Sequence, residues 1–105
     1  MKNNIFTDLP DTLDEEKFER ILDEKNILIE RIISLGQTTP KGKWLSQKRS
    51  EWVVLLQGRA KLVFEKDRKE VIMKKGDWIL IKSKQRHRVE WTCKNRKCVW
   101  LAVHF

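Results

Sequence analysis

Long apolar runs are missing from this 105-residue chain: runs such as Trp52 to Leu56 and Trp78 to Ile81 are four or five residues, and none exceeds six. That is far below the roughly 20 needed to span a bilayer, so no membrane helix is expected. The opening MKNNIFTDLPD has no continuous apolar stretch of the secretory kind, which makes the cytoplasm the expected compartment. Cysteine is scarce. Cys93 and Cys98, within CKNRKC, match neither a CxxC redox site nor half of a zinc pattern, and read as two reduced thiols flanking a turn, a disulfide closing the hairpin being the alternative. Histidine is scarcer still in effect, with only His87 in the body of the chain and His104 next to the last residue. Internal repeats and low-complexity tracts are absent, and the length suits one domain with one modest core.

What is present is charge and aromatic bulk. Apolar residues at 40%, with five Trp and four Phe, argue for a folded globule despite 36% charged residues. Residues 1–30 carry nine acidic and four basic side chains, net −5, whereas the remainder carries 19 basic and six acidic, net +13, so the two segments should attract each other. A total of +8 raises nucleic acid as a partner. Lys82, Lys84, Arg86 and Arg88 alternate, and an extended segment would project them together beside Lys94, Arg96 and Lys97. No nucleic-acid-binding motif accompanies the stripe, so a solvated surface, or a rim that attracts an anionic small molecule, is the favoured reading.

Thr12 and Glu15 have capping-box spacing, and Phe18, Ile21 and Leu22 fall at i, i+3 and i+4, which predicts a short helix over about residues 13–24. From residue 27 the period changes to two. Strands are expected near 27–35, 43–47, 51–57, 60–65, 69–73, 78–81, 86–93 and 98–105, with turns at 57–58, 66–68, 75–77 and 94–97: a mainly β sandwich or small barrel. Residues 1–30 are expected to form an extension and helix packed on a barrel of residues 31–105. In the seventh of these strands His87, Val89, Trp91 and Cys93 share one face.

Glu51 precedes Gly58 with six residues between, Gly76-Asp77 follows, and His87 lies eleven residues beyond Gly76. EWVVLLQG, GDWILIKSKQRH and the closing VWLAVHF resemble the cupin family of small β-barrels, over roughly residues 36–105. The resemblance implies a jelly-roll (double-stranded β-helix) barrel, an interior ligand site and a homodimer formed by strand-edge pairing or exchange, which exposed edges encourage. Metal-binding cupins hold a divalent ion with three imidazoles and one carboxylate. Here the two first-motif histidines fall on Leu45 and Gln47, or on Trp44 and Ser46, depending on spacing. What remains of that set is Gln47, Glu51 and His87, and His104 is the one further imidazole.

Glu51 and His87 are therefore the candidate catalytic or ligand-binding pair, either pairing with each other as a buried polar contact or serving as base and acid. Gln47 is an orienting amide and Trp91 an apolar pocket wall, while Trp44, Trp52, Trp78 and Trp100 are assigned to the core. The function expected is binding of a small organic ligand, anions included, without a full metal site. The alternatives are a metal-dependent dioxygenase, isomerase or epimerase using a divalent transition metal on Gln47, Glu51 and His87, and nucleic-acid binding by the basic surface.

Overall fold

The computed structural model describes residues 1–105. Eight strands form it: β1 (Lys17–Glu24), β2 (Ile27–Ser34), β3 (Glu51–Gln57), β4 (Ala60–Phe64), β5 (Lys69–Met73), β6 (Trp78–Ile81), β7 (His87–Thr92) and β8 (Cys98–His104). They make a five-stranded sheet in the order β1-β2-β8-β3-β6 and a three-stranded sheet in the order β5-β4-β7. All pairings are antiparallel. The mainly β expectation holds, and no helix is long and apolar enough to cross a membrane.

The helix expected over residues 13–24 is not formed. Residues 17–24 are β1, which pairs along nearly the whole of β2, from Lys17 opposite Ile33 to Glu24 opposite Ile27. Tertiary pairing overrides local spacing here. β2 would otherwise present a bare edge, and a bulge between Arg20 and Leu22 lets an i, i+3, i+4 sequence fit a ladder of period two. The expected attraction between acidic and basic segments appears in the Arg31 guanidinium, which binds Glu19 at 2.7 Å and also donates to the Ile5 carbonyl at 2.9 Å. Those contacts lay the N-terminal segment over the outer face of β2.

The strand expected at 43–47 is reduced to one bridge, Leu45 with His87. Residues 39–47 instead follow β7 irregularly: the Thr39 N–H donates to the Val89 carbonyl, Leu45 and His87 exchange two bonds, and the Lys84 N–H donates to the Gln47 carbonyl. The path is loose, yet it carries Gln47 to the barrel end. The basic stripe breaks up as well. Residues 82–86 lie between β6 and β7 with Lys84 at φ 63°, so they are not extended. Arg86 pairs with Glu65, and Arg88 with Glu90 and three carbonyls of residues 39–43.

Between the sheets lies a core that includes Ile32, Val53, Leu55, Leu62, Phe64, Met73, Ile81 and Trp100. Three crossings from one sheet to the other, at residues 57–59, 74–77 and 93–97, close one end of the barrel. Cys93 and Cys98 sit buried at that end as free thiols, sulfur to sulfur 3.5 Å, and burial, with the Cys93 thiol alongside, pushes Cys98 up to about 12. Trp78, assigned to the core from sequence, is 62% exposed.

Gly58 explains the glycine of the first motif. Its φ is +94°, and a β-carbon there would lie 2.7 Å from the Cys98 sulfur and 2.9 Å from the Cys98 α-carbon. Gly58→Ala should therefore destabilise the fold by about 2 kcal/mol or more, because both the backbone and the space reject a side chain. Urea unfolding measures this; a midpoint unchanged from the parent protein would contradict the role given to Gly58.

Candidate functional site

The barrel is open at the end opposite the three crossings, where β3 and β7 begin and β6 and β8 finish. A cavity of about 270 Å³ lies there. Its walls are apolar, from Phe18, Ile32, Val53, Leu62, Val89 and Trp100 among others. Its polar lining is Glu16, Glu30, Ser46, Gln47, Glu51, His87 and His104, with no Lys or Arg.

Alternation along each strand produces this set. On β3, Glu51, Val53 and Leu55 are buried toward the core, so Glu51 enters the cavity at the strand's first residue. Register places Glu51 directly opposite His104 of β8, while Trp100 and Ala102 continue the same inward face. On β2, Glu30 lies on the inward row with Ile32 and Ser34, opposite Ala102. His87 begins β7 and is held on both sides, by Leu45 through the backbone and by the Phe64 ring at 6.0 Å between centroids.

The hydrogen bonds fix what each group can offer. His87 Nδ1 lies 3.0 Å from the Gln85 carbonyl oxygen, which can only accept, so Nδ1 carries the proton. Nε2 has no partner in the protein and is left for the cavity. The Gln47 amide nitrogen donates to Glu51 Oε1 at 2.9 Å. His104 Nε2 meets Glu30 Oε1 at 2.8 Å, and the Ser34 hydroxyl donates to Glu16 Oε2 at 2.5 Å.

Sequence reasoning placed Gln47, Glu51 and His87 in one interior, and the structure brings all three to the same cavity. Two details differ. Glu51 and His87 do not hydrogen-bond each other: Glu51 is held by Gln47, and the histidine–carboxylate pair is His104 with Glu30. Trp91 is not a pocket wall. A bulge on β7 sets Leu62 opposite Val89 but Lys61 opposite Trp91, so the phase flips after Val89 and Trp91 turns outward, 46% exposed. Glu16 was hidden by the helix assignment, while Glu30 and His104 were findable: a lone carboxylate in ILIERIIS and an imidazole in step with Trp100 both read as inward polar groups.

Three carboxylates share this space, and burial sets their chemistry. Glu51 is raised above 4.5, first by burial and further by Glu30, against the opposing pull of His104, His87 and the Gln47 amide. Glu16 is raised too, by burial first and by the Glu51 charge, against the Ser34 hydroxyl. Such groups hold a proton longer than ordinary carboxylates and share the cavity with the unpartnered His87 Nε2, which is the material of general acid–base chemistry.

A divalent ion is the cofactor the family resemblance raises, and the donors do not fit one. The Gln47 nitrogen is turned to Glu51 and His104 Nε2 is committed to Glu30. No three His, Cys, Asp or Glu side chains gather closely enough to hold a metal ion, whereas transition-metal centres need several converging donors.

Comparison with known proteins agrees with the architecture. The cupin domain family profile matches residues 32–104. A crystal structure from Ralstonia eutropha JMP134, provisionally described as a mannose-6-phosphate isomerase, is 40% identical with TM-score 0.95, covering 99% of this chain and 96% of that one. A cupin superfamily protein of Desulfitobacterium hafniense DCB-2 is 11% identical with TM-score 0.76, covering 92% of this chain and 83% of that one. The Fe(II) form of HppE is 16% identical with TM-score 0.74, covering 93% of this chain and 54% of that one. No curated protein matches the chain.

The pH dependence of stability tests the site's electrostatics. A carboxylate raised on folding keeps its proton in the native state while the unfolded chain has already ionised, so stability falls as pH climbs from 4.5 through the raised value. Glu51→Gln removes that loss while leaving an acceptor for the Gln47 amide. Its melting temperature at neutral pH should exceed the parent's, by about 1 kcal/mol in stability terms, with a shallower slope between pH 4.5 and 7. A variant less stable than the parent at pH 7 would mean that the ionised carboxylate is satisfied.

Proposed function

This chain belongs to the cupin family, and on that premise we propose that it binds a small, uncharged, polyhydroxylated organic molecule in the open end of its barrel. The observation that carries this reading is the cavity lining: three carboxylates, two imidazoles and an amide on apolar walls, with no Lys or Arg among them. Hydroxyl groups both donate and accept, so they suit carboxylate oxygens on one side and the free His87 Nε2 on the other. An anion would be taken from water into a space whose fixed groups are carboxylates, which opposes binding unless cations line the site. The volume of about 270 Å³ lies at the small end of ligand pockets and suits a molecule of sugar size.

The Ralstonia protein's description names a phosphosugar. Its sugar part agrees with this cavity, and its phosphate does not, since no cation faces inward. The anionic ligand expected from the basic stripe gives way for the same reason. Lys82, Lys84, Arg86 and Arg88 stand outside the lining, two of them tied up in ion pairs.

A second reading is favoured by Glu51, whose carboxyl pKa is raised by burial, sharing the cavity with the unpartnered His87 Nε2. Such a pair could move a proton between adjacent carbons of a bound hydroxy-carbonyl compound, one group removing it and the other polarising the carbonyl oxygen. Glu51 and His87 would both touch substrate, and Gln47 would position Glu51. The donor set gives no basis for routing any step through a metal.

Thermal-shift titration with neutral sugars and polyols, each beside its phosphate ester, tests the binding reading. The neutral compounds should raise the melting temperature as RT ln(1 + [L]/Kd) requires. His87→Ala should weaken the best of them about tenfold, the scale of one lost hydrogen bond in a dry site. A phosphate ester that binds more tightly than its parent, or a His87→Ala protein that binds unchanged, would overturn the reading.

A further inference from the structure

The closed end of the barrel is far more basic than the rest of the chain. Its three crossings, residues 57–59, 74–77 and 93–97, hold Arg59, Lys74, Lys75, Lys94, Arg96 and Lys97 against one acid, Asp77. These 12 residues thus carry +5 of the chain's net +8. Among them lies a hollow of about 400 Å³, lined by Arg59, Lys74, Lys75, Arg96, Gln57 and Asn95 over the buried Cys93. No Asp or Glu lines it. The Asp77 carboxylate accepts the Lys74 N–H at 2.8 Å and borders a different hollow, beside Trp78 and Ile79. Arg31, Lys61, Arg86 and Arg88 each pair with an acid elsewhere, whereas the four cations around this hollow pair with none.

The backbone beneath those side chains is firmly held. The Gln57 amide donates to the Lys97 carbonyl at 3.0 Å, the Cys93 N–H to the Arg59 carbonyl at 3.0 Å, and the Gly76 N–H to the Leu55 carbonyl at 2.7 Å. These bonds tie the crossings to one another and to β3, and Gly58, at φ +94°, lets the first crossing pack against Cys98. The four cations therefore start from fixed positions around one space. Their mutual repulsion is relieved by an anion placed among them.

We propose that the closed end is a second binding site, separate from the cavity, for a small molecule carrying a diphosphate group. Arg59 and Arg96 offer planar forks that match phosphate oxygens two at a time, and Lys74 and Lys75 add point charge. A single phosphate, with about two charges at neutral pH, would neutralise only half of the four cations. Two linked phosphates match them more closely. The volume falls within the range of small-molecule pockets and leaves room for an organic group beyond the phosphates. No aromatic ring lines the hollow, so it lacks the stacking platform on which single-stranded nucleic acid is held. The hollow shares no residue with the cavity at the open end, and the two sites take ligands of opposite character.

Titration calorimetry with inorganic pyrophosphate, beside orthophosphate and without divalent cations, tests the site. Pyrophosphate should bind once per chain, more tightly than orthophosphate, and more weakly as sodium chloride rises. Arg59→Gln combined with Arg96→Gln should weaken it at least about tenfold, the scale of lost charge-assisted hydrogen bonds. Lys74→Gln combined with Lys75→Gln, in a separate crossing, should weaken it as well, so a folding defect in one variant leaves the other decisive. Lys66→Gln combined with Lys69→Gln removes the same charge at the open end and should leave binding nearly unchanged. His87→Ala should bind pyrophosphate as the parent does, and phosphate esters titrated into the Arg59 and Arg96 variant report on the cavity alone. Pyrophosphate that does not bind, an equal loss in the open-end variant, or a loss in His87→Ala would overturn the site. Orthophosphate binding as tightly would overturn the diphosphate, and RNA or duplex DNA binding more tightly, through the same arginines, would overturn the small molecule.

Discussion

Strand phase is the constraint on which everything else here rests. A β-strand shows successive side chains to opposite faces, so one residue of slippage exchanges inside for outside along its length. Pairing of β3 with β8 fixes the phase that matters, setting Glu51 against His104 and Val53 against Ala102. Once those rows face inward, Trp52, Leu101 and Val103 must face outward. The polar cavity and the apolar outer surface are therefore two results of one register. Bulges are where the phase is deliberately reset: one on β7 sends Trp91 out while Thr92 goes in, and one on β3 after Leu55 leads into the Gly58 crossing.

The charge distribution then reads as a division of labour between surface and interior. The chain is net positive, yet its lysines and arginines stay out of the cavity, and the charged groups that reach it are acids and imidazoles. A buried carboxylate costs several kcal/mol unless it finds donors or a proton. Gln47 supplies a donor to Glu51, Ser34 to Glu16 and His104 to Glu30. Each acid is given one good partner and no cation other than an imidazole. The arrangement is costly to the fold at neutral pH, because the raised Glu51 and Glu16 carboxyls ionise more readily in the unfolded chain.

How much of this the sequence disclosed follows from which forces are local. Strands β2 to β8 were legible because β-branched and aromatic residues alternate between turns marked by Gly, which accepts positive φ, and Asp, which bonds nearby backbone. Gly58 and Asp77 mark those turns, the Asp77 carboxylate accepting the Lys74 N–H at 2.8 Å. Glu51 and His87 were legible as a shared interior through motif spacing. β1 was not, because Phe18, Ile21 and Leu22 satisfy helical spacing and the decisive term, pairing with β2, is not local. Trp91 was misplaced because a single bulged residue leaves no mark in period-two counting. The His104–Glu30 contact spans 74 residues, and only the order of strands in the sheet brings it about.

The exposed tryptophan follows from the same register. Had the outer row of β3, β6 and β8 been polar, the strands would alternate cleanly and the barrel would need no cover. Instead Trp52 and Trp78 stack on each other at the open edge of the sheet, β6, where a bare strand invites indiscriminate pairing. Side chains stand off the faces of a sheet and not along its edge, so the rings make the face beside β6 apolar without covering its backbone. Trp78 and Leu80 stay 62% and 44% exposed on that face, while Trp52 and Val54 behind them are drawn into contact with the sheet.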